Sequence, residues 1–365
     1  MIDEERRANT LIVAFIGVLT VYLIISAIGC LSYFYGLPLY GIAVSAFYTP
    51  FLVAGLKSRF KTSSPIYIFA PVIMSYLSLG LYPSLMVLGM MTTIWLSFRS
   101  KRVGSQVYAS HWLWIPLYIA GVSILLFGYL LVGNPWADRD VRVALAQPFA
   151  FSTFLMLTAA CYVDSAPIYL ATLLLAGLTS YRTYLANVVF ATISARKVGR
   201  RFKILLLLVL LVALVGAGYV IAVSGQSWRL SPLGILHYRL SSSLYTLDLI
   251  AKRSLPLGST YGRVLLSSDP RRSIGLLILN STVKYTYTIY GQPLADFGLL
   301  GVVEIYILGI IIRNIWDGER LYQMAPAYLI PMIDAGIDGF RFSVLMILAH
   351  AVSKHGLIKK RCKEG

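Results

Sequence analysis

The chain of 365 residues is 58% hydrophobic and 13% charged, with a mean hydropathy of +0.74, where a soluble domain carries about 25% charged residues. That balance excludes a soluble enzyme, and the lack of alternating segments about ten residues long excludes a transmembrane barrel, which leaves one all-α, polytopic integral membrane domain over residues 1–365. The net charge of +17 reads as cytoplasmic loops that obey the positive-inside rule and touch anionic lipid, so membrane lipids rather than nucleic acid are the expected partners. Cys30, Cys161 and Cys362 are scattered, and His111, His237, His350 and His355 show no ligand spacing, so no metal and no cofactor is expected.

MIDEERR runs straight into an apolar stretch and reads as a signal anchor. Spans one and two are expected at 10–33 and 38–56, followed by Lys57, Arg59 and Lys61. Spans three and four, at 65–81 and 83–98, are split by Pro83 and followed by Arg99, Lys101 and Arg102. Span five covers 111–132, and NPWADRDVR leads to span six at 143–163. The stretch 166–195 decides the topology. As one helix it would be ~45 Å long, beyond the ~30 Å hydrocarbon core, with Arg182 in mid-membrane at a cost of ~2.5–3.5 kcal/mol or more. As two spans it turns at Thr179-Ser180-Tyr181-Arg182 and keeps Arg182 at the surface, while Arg196 and Lys197 snorkel. The second choice puts Arg196, Lys197, Arg200, Arg201 and Lys203 on the same side as the 57–61 and 99–102 clusters and the tail cations Lys359, Lys360, Arg361 and Lys363. The positive-inside rule thus selects about 12 transmembrane helices in the cell membrane, with both termini cytoplasmic.

Span nine, at 203–223, exits to the outside. Residues 224–296 then form one large extracytoplasmic loop holding Arg229, Arg239, Lys252, Arg253, Arg263, Arg271, Arg272 and Lys284 against Asp248, Asp269 and Asp296. Cations on that side call for an anion, and a lipid-linked pyrophosphate would supply one. Within the loop, RLSSSLYTLDLIAKR spaces Leu240, Leu244 and Leu247 at helical intervals, the pattern of a short amphipathic helix at the membrane interface. LPLGSTYGR, with Pro256, Gly258 and Gly262, is a turn. Spans ten, eleven and twelve are expected at 297–313, 323–337 and 340–353, with Asp334, Asp338 and Arg341 at the outer turn between the last two.

Three segments in this order resemble the O-antigen polymerase and O-antigen ligase superfamily of glycan-assembly enzymes. LLLAGLTSYRTYLANVVFA resembles the family's Ser-Arg turn between two short spans, with Tyr181 intervening here between Ser180 and Arg182. HYRLSSSLYTLDLIAKRSLPLGSTYG resembles an Arg-led helix ending in a Pro-x-Gly-x-Gly-like turn, and YTIYGQPLADFGLLGVVEIYILG resembles the entry into the span after the large loop. The match covers about residues 165–315. Where the ligases carry His-Asn, this chain has Tyr287-Thr288, which favours a polymerase. The resemblance implies a metal-independent glycosyltransferase that moves oligosaccharide from a polyprenyl-pyrophosphate carrier to an acceptor sugar hydroxyl, with other glycan-assembly proteins such as a chain-length regulator as partners. A ligase-like transfer to another acceptor, or a flippase for a lipid-linked anion, are the alternatives.

In that reading charge builds on the pyrophosphate as the glycosidic bond breaks, and guanidinium groups stabilise it. Arg182 and Arg239 are the expected catalytic cations, though Arg182 could equally snorkel at a tight turn and Arg239 bind headgroups. His237, in the outer loop, and Asp296 are candidate bases for the acceptor hydroxyl; a half-buried packing role and a helix-terminus charge are their bland readings. Arg263, Arg271 and Arg272 are assigned to the pyrophosphate or glycan. Tyr285, Tyr287 and Tyr290 are assigned to sugar contact, against an ordinary aromatic belt. Glu304, an acid inside a span, is either functional or paired with another span.

Overall fold

The computed structural model describes residues 2–58, 60, 70–73, 101–103, 106–108, 114–136, 138–226, 230–267, 269–318 and 321–363. Apart from 70–73, expected spans three and four lie outside the described residues, as do Arg59, Lys61, Arg99, His111 and Arg229. The described residues are mainly helical, with one short antiparallel pair of strands, β1 (Lys101–Val103) and β2 (Gln106–Tyr108), in which Arg102 faces Val107. The helices are α1 (Ile2–Phe34), α2 (Leu39–Lys57), α3 (Trp114–Leu131), α4 (Arg139–Ala144), α5 (Ala146–Val163), α6 (Ala166–Leu178) and α7 (Arg182–Ser194). After them come α8 (Arg200–Gln226), α9 (Pro232–Ser254), α10 (Pro270–Leu277), α11 (Gly291–Phe297), a 3₁₀ turn (Gly298–Gly301), α12 (Val302–Trp316), α13 (Met324–Ala335) and α14 (Gly339–Lys363).

Among the described residues five stretches are long and apolar enough to cross a membrane: Asn9–Phe34, Leu39–Lys57, Trp114–Leu131, Ala146–Val163 and Gly291–Trp316. The stretch 166–195 is two helices, α6 and α7, joined by a turn in which Ser180 is left-handed at φ 62°. The helix expected to open span ten at 297 instead starts at Gly291 and passes through the 3₁₀ turn, because Gly298 and Gly301 let it press on neighbouring backbone.

The chain divides into two compact units. The first holds residues 1–95, 237–318 and 329–365. Its tightest crossing joins α2 to α12 at paired glycines. A Cβ on Gly55 would sit 2.2 Å from the Tyr306 carbonyl oxygen, and one on Gly309 would sit 2.5 Å from that of Leu52. Lipid is as apolar as leucine, so close backbone contact of this kind, rather than release of water, drives helix association. The second unit holds residues 96–236 and 319–328. Here α3 crosses α5 at Gly121, where the Ser152 hydroxyl donates to the Gly121 carbonyl at 2.7 Å. Met324 packs its sulfur 3.6 Å from that of Cys161.

Several small hydroxyls are satisfied inside their own helices. Ser45, Thr49, Thr158, Thr172 and Thr192 each donate to the carbonyl four residues back. In a medium with no water this is how Ser and Thr become tolerable in a span.

Candidate functional site

α9 begins at a serine cap. The Ser231 hydroxyl accepts from the Gly234 N–H at 3.1 Å, and Pro232 opens the helix. Lys252 and Arg253 complement its last carbonyls. The sequence suggests a helix with one face on lipid, but the structure buries most of its circumference. Ser241, Ser243, Leu244, Thr246, Leu247, Asp248, Ile250 and Ala251 are all buried. The reason is that α1 and α2 approach at glycines. A Cβ on Gly29 would strike the Ser241 hydroxyl, and one on Gly41 would lie 3.1 Å from the Leu244 carbonyl oxygen. Tyr22 and Cys30 of α1 donate to the carbonyls of Leu240 and Ser241 at 3.2 and 3.3 Å. The Gly41 N–H of α2 donates to Asp248 at 3.1 Å, and Lys252 pairs with the same carboxylate at 2.7 Å.

Arg239 is half-buried on this helix, one turn before the Ser243 hydroxyl, which donates to Thr286 at 3.1 Å. The next residues are tied to α10: the Tyr285 N–H donates to the Arg271 carbonyl at 3.2 Å. α10 is capped by Asp269, whose carboxylate accepts from the Arg272 N–H at 3.2 Å and pairs with Lys284 at 2.5 Å. Beyond them, Tyr287 donates to the Ile337 carbonyl at 2.9 Å. The Arg341 guanidinium reaches the Gly336 carbonyl at 2.9 Å and Asp338 at 3.6 Å. Burial pushes the Tyr287 phenol above its ordinary range, the Asp338 charge adds to that push, and Arg271 and Arg341 act against it. Ser243 and the Arg271 carbonyl therefore tie α9 and α10 to the 285–287 segment. Tyr22 and Arg341, both outside the 224–296 stretch, join this region without a sequence signal, since nothing in their spacing ties them to that loop.

His237 packs edge-on against Tyr33, with ring centroids 5.4 Å apart, and its Nε2 lies 3.0 Å from the Ile25 carbonyl. A carbonyl only accepts, so Nε2 carries the hydrogen and Nδ1 of the neutral ring keeps a lone pair.

Asp296 sits elsewhere than a base would. It is completely buried, and its carboxylate accepts from Thr260 at 2.6 Å, from the N–H groups of Val264 and Leu265 at 3.0 and 2.9 Å, and from Gln292 at 2.9 Å. The same Gln292 amide donates to Glu304 at 3.1 Å, so Glu304 pairs locally. The glycine turn is fastened in the same way. Ser259 and Thr260 donate to the Ala295 carbonyl, and Tyr261 donates to that of Asp296. Gly258 (φ 82°) has its α-carbon against the Asp296 carbonyl, where a Cβ would be 2.5 Å away. These N–H groups hold a helix end, not a ligand. Arg263 and Arg272 are exposed, and Tyr285 is half-buried against Gly275. Tyr287 and Tyr290 are buried, with Tyr290 paired to the Thr49 hydroxyl at 2.8 Å, so neither ring is open to stack on a sugar.

In the second unit, Arg182 is the first residue of α7. The turn before it is held by aromatic donors. Tyr181 reaches the Arg142 carbonyl at 2.5 Å, Tyr184 that of Ala146 at 2.8 Å, and Trp136 that of Leu178 at 3.2 Å. Tyr129 donates to the Leu178 carbonyl as well. An arginine at a helix N-terminus stands at the positive end of the dipole, so the dipole itself does not favour its placement there.

The comparisons agree with this architecture. The O-antigen polymerase family matches residues 9–345, which takes in the first half of the chain as well as the loop. An uncharacterized protein of Methanocaldococcus jannaschii is 24% identical over 344 residues, covering 90% of this chain and 86% of its own. No solved structure matches. With its apolar helices and a family match running through nearly the whole sequence, the chain is a membrane protein that belongs to the O-antigen polymerase family.

Proposed function

We propose that the protein is a glycan polymerase that works outside the cell membrane, in surface polysaccharide biosynthesis. It transfers oligosaccharide from a polyprenyl-pyrophosphate carrier to an acceptor sugar hydroxyl. The observation that carries this reading is that α9, one turn after Arg239, is tied through Ser243 to Thr286, beside a Tyr287 phenol that feels the charges of Arg271 and Arg341. In this reading the chain has about 12 spans with both termini cytoplasmic, and residues 224–296 face outward.

The chemistry follows from the groups at hand. The acceptor hydroxyl oxygen attacks the anomeric carbon, the bond to the pyrophosphate oxygen breaks, and its electron pair leaves on the carrier. Guanidinium groups supply the positive charge that the leaving pyrophosphate needs, and such bonds gain strength where water is scarce. His237 Nδ1 takes the hydroxyl proton. Asp296 has no part in proton transfer and positions the loop that presents Arg263. Arg182 is a second anion ligand at the start of α7.

The test is chain extension by purified protein supplied with a polyprenyl-pyrophosphate-linked oligosaccharide, read as a ladder on a gel. Arg239→Ala and Arg182→Ala should each lower the rate by roughly 10²–10³, the effect of deleting one transition-state charge ligand, while expression is unchanged. Full activity in both variants would sink the assignment. Uptake of the lipid-linked glycan into proteoliposomes with no bond made would point to a flippase instead.

A further inference from the structure

One polar cluster lies inside the apolar Gly291–Trp316 stretch and takes no part in the transfer proposed above. Gln292 is completely buried, and its Nε2 is shared between two carboxyl groups, 2.9 Å from Asp296 Oδ2 and 3.1 Å from Glu304 Oε2. Asp296 has three further donors, the Thr260 hydroxyl and the N–H groups of Val264 and Leu265. Glu304, in the first turn of α12, has Gln292 alone among the described residues. Two oxygens of this cluster are buried with no hydrogen-bond partner among the described residues, Glu304 Oε1 and Gln292 Oε1. While Glu304 is ionised both can only accept, so neither serves the other. No cation among the described residues pairs with Glu304. The titratable groups that act on it are Asp296 of α11 and Tyr48 of α2, and Tyr48 gives its hydrogen to the Gly298 carbonyl. The 3₁₀ turn carries no titratable group, and α14 presents no charge to Glu304 among the described residues.

We infer that Glu304 is a proton-binding site, occupied at neutral pH, and that Gln292 is the residue that holds the proton there. With the proton on Oε1, Glu304 donates to Gln292 Oε1 while Gln292 Nε2 donates to Glu304 Oε2. Acid and amide then close a ring of hydrogen bonds, and a single proton satisfies both orphaned oxygens. The two carboxyl groups divide their roles by the donors around them. Asp296, with four donors, keeps the negative charge. Glu304 shares one donor, and an ion so poorly partnered in hydrocarbon is less favourable than the neutral acid. An ionised Glu304 would also set a second anion against Asp296 across one amide group. The bound proton therefore leaves the Gln292 amide free to brace Asp296, and through Asp296 the turn that contains Thr260, Val264 and Leu265.

The experiment is infrared spectroscopy of the full chain at neutral pH in dodecyl maltoside, a detergent with no ester carbonyl to interfere. It reads the carbonyl stretch of protonated carboxylic acids, which is separate from the amide and carboxylate bands. Wild-type protein should show this band, and heavy water should move it to lower frequency. Glu304→Gln, the isostere of the neutral acid, should lose it. Gln292→Met should keep it at a higher frequency, because the Glu304 carbonyl then has no donor. No such band in the wild type, a band of equal strength in Glu304→Gln, or an unmoved band in Gln292→Met overturns the proposal. Dicyclohexylcarbodiimide gives a reading that needs no variant, since this apolar reagent adds to protonated carboxyls in apolar surroundings. Mass spectrometry of the digested wild-type chain should find the adduct on Glu304 and not on Asp296, with labelling that falls as the pH is raised. An adduct on Asp296 alone, or equal labelling of Glu304 at neutral and alkaline pH, overturns the proposal as well.

Discussion

Asp296 shows how a residue's chemistry is set by what surrounds it. As a letter in the sequence it is an acid beside a span, equally suited to base and helix terminus. In the fold its two oxygens meet four donors from one turn and one helix. Asp296→Asn would turn an NH₂ group toward some of those donors and leave buried N–H groups without an acceptor, at about 1–3 kcal/mol. The thermal midpoint in detergent should fall, and extension should fall with it through the loosened Arg263 turn. An unchanged midpoint would show that the clamp contributes nothing. His237 gives the contrasting expectation. Its ring donates to the Ile25 carbonyl and leans edge-on against Tyr33, so His237→Ala should lower the midpoint only modestly and reduce the extension rate by roughly 10²–10⁴, the usual worth of a general base.

Between elements, the crossings are written in glycine. α1 meets α9 at Gly29, α2 meets α9 at Gly41, and α2 meets α12 at Gly55 and Gly309. Gly309→Leu has nowhere to place its side chain against α2, and membrane yield and monodispersity should collapse. Gly29→Leu should be milder in yield yet severe in activity, because it pushes the Arg239 turn from α1 and breaks the Tyr22 and His237 contacts that locate it; wild-type extension by Gly29→Leu would refute that link. The same crossings explain why α9 looked like a surface helix. Its stripe of Ser241, Ser243, Thr246 and Asp248 is polar, and periodicity assigns polar stripes to water. Here Ser243 meets the Thr286 hydroxyl and Asp248 the Gly41 N–H, while Ser241 and Thr246 donate back to their own helix, a possibility no spacing rule expresses.

At the scale of the molecule the decisive property is sidedness. In the proposed topology the densest basic turn, at 196–203, and the tail are cytoplasmic, which would turn the 224–296 segment outward. A single-cysteine variant, Arg263→Cys with the native cysteines replaced, should react with a membrane-impermeant maleimide in intact cells. Labelling that appears only after permeabilisation would put the segment inside and end the case for an extracytoplasmic donor. Neutralising Arg196, Lys197, Arg200 and Arg201 together should weaken that orientation and produce a mixed labelling pattern.

Composition and charge alone determined that this chain is a helical membrane protein. Helix length against bilayer thickness, with the cost of Arg182 in hydrocarbon, divided 166–195 into two helices, and the structure has them at Ala166–Leu178 and Arg182–Ser194. Such properties are local sums over side chains, so they survive without knowledge of the fold. The surroundings of Asp296, Tyr287 and Tyr290, the arrival of Tyr22 at the Arg239 turn and that of Arg341 near Tyr287 were decided only by tertiary structure. Burial and hydrogen-bond partnership depend on which distant backbone arrives, and that is set by glycine crossings between helices far apart in the chain.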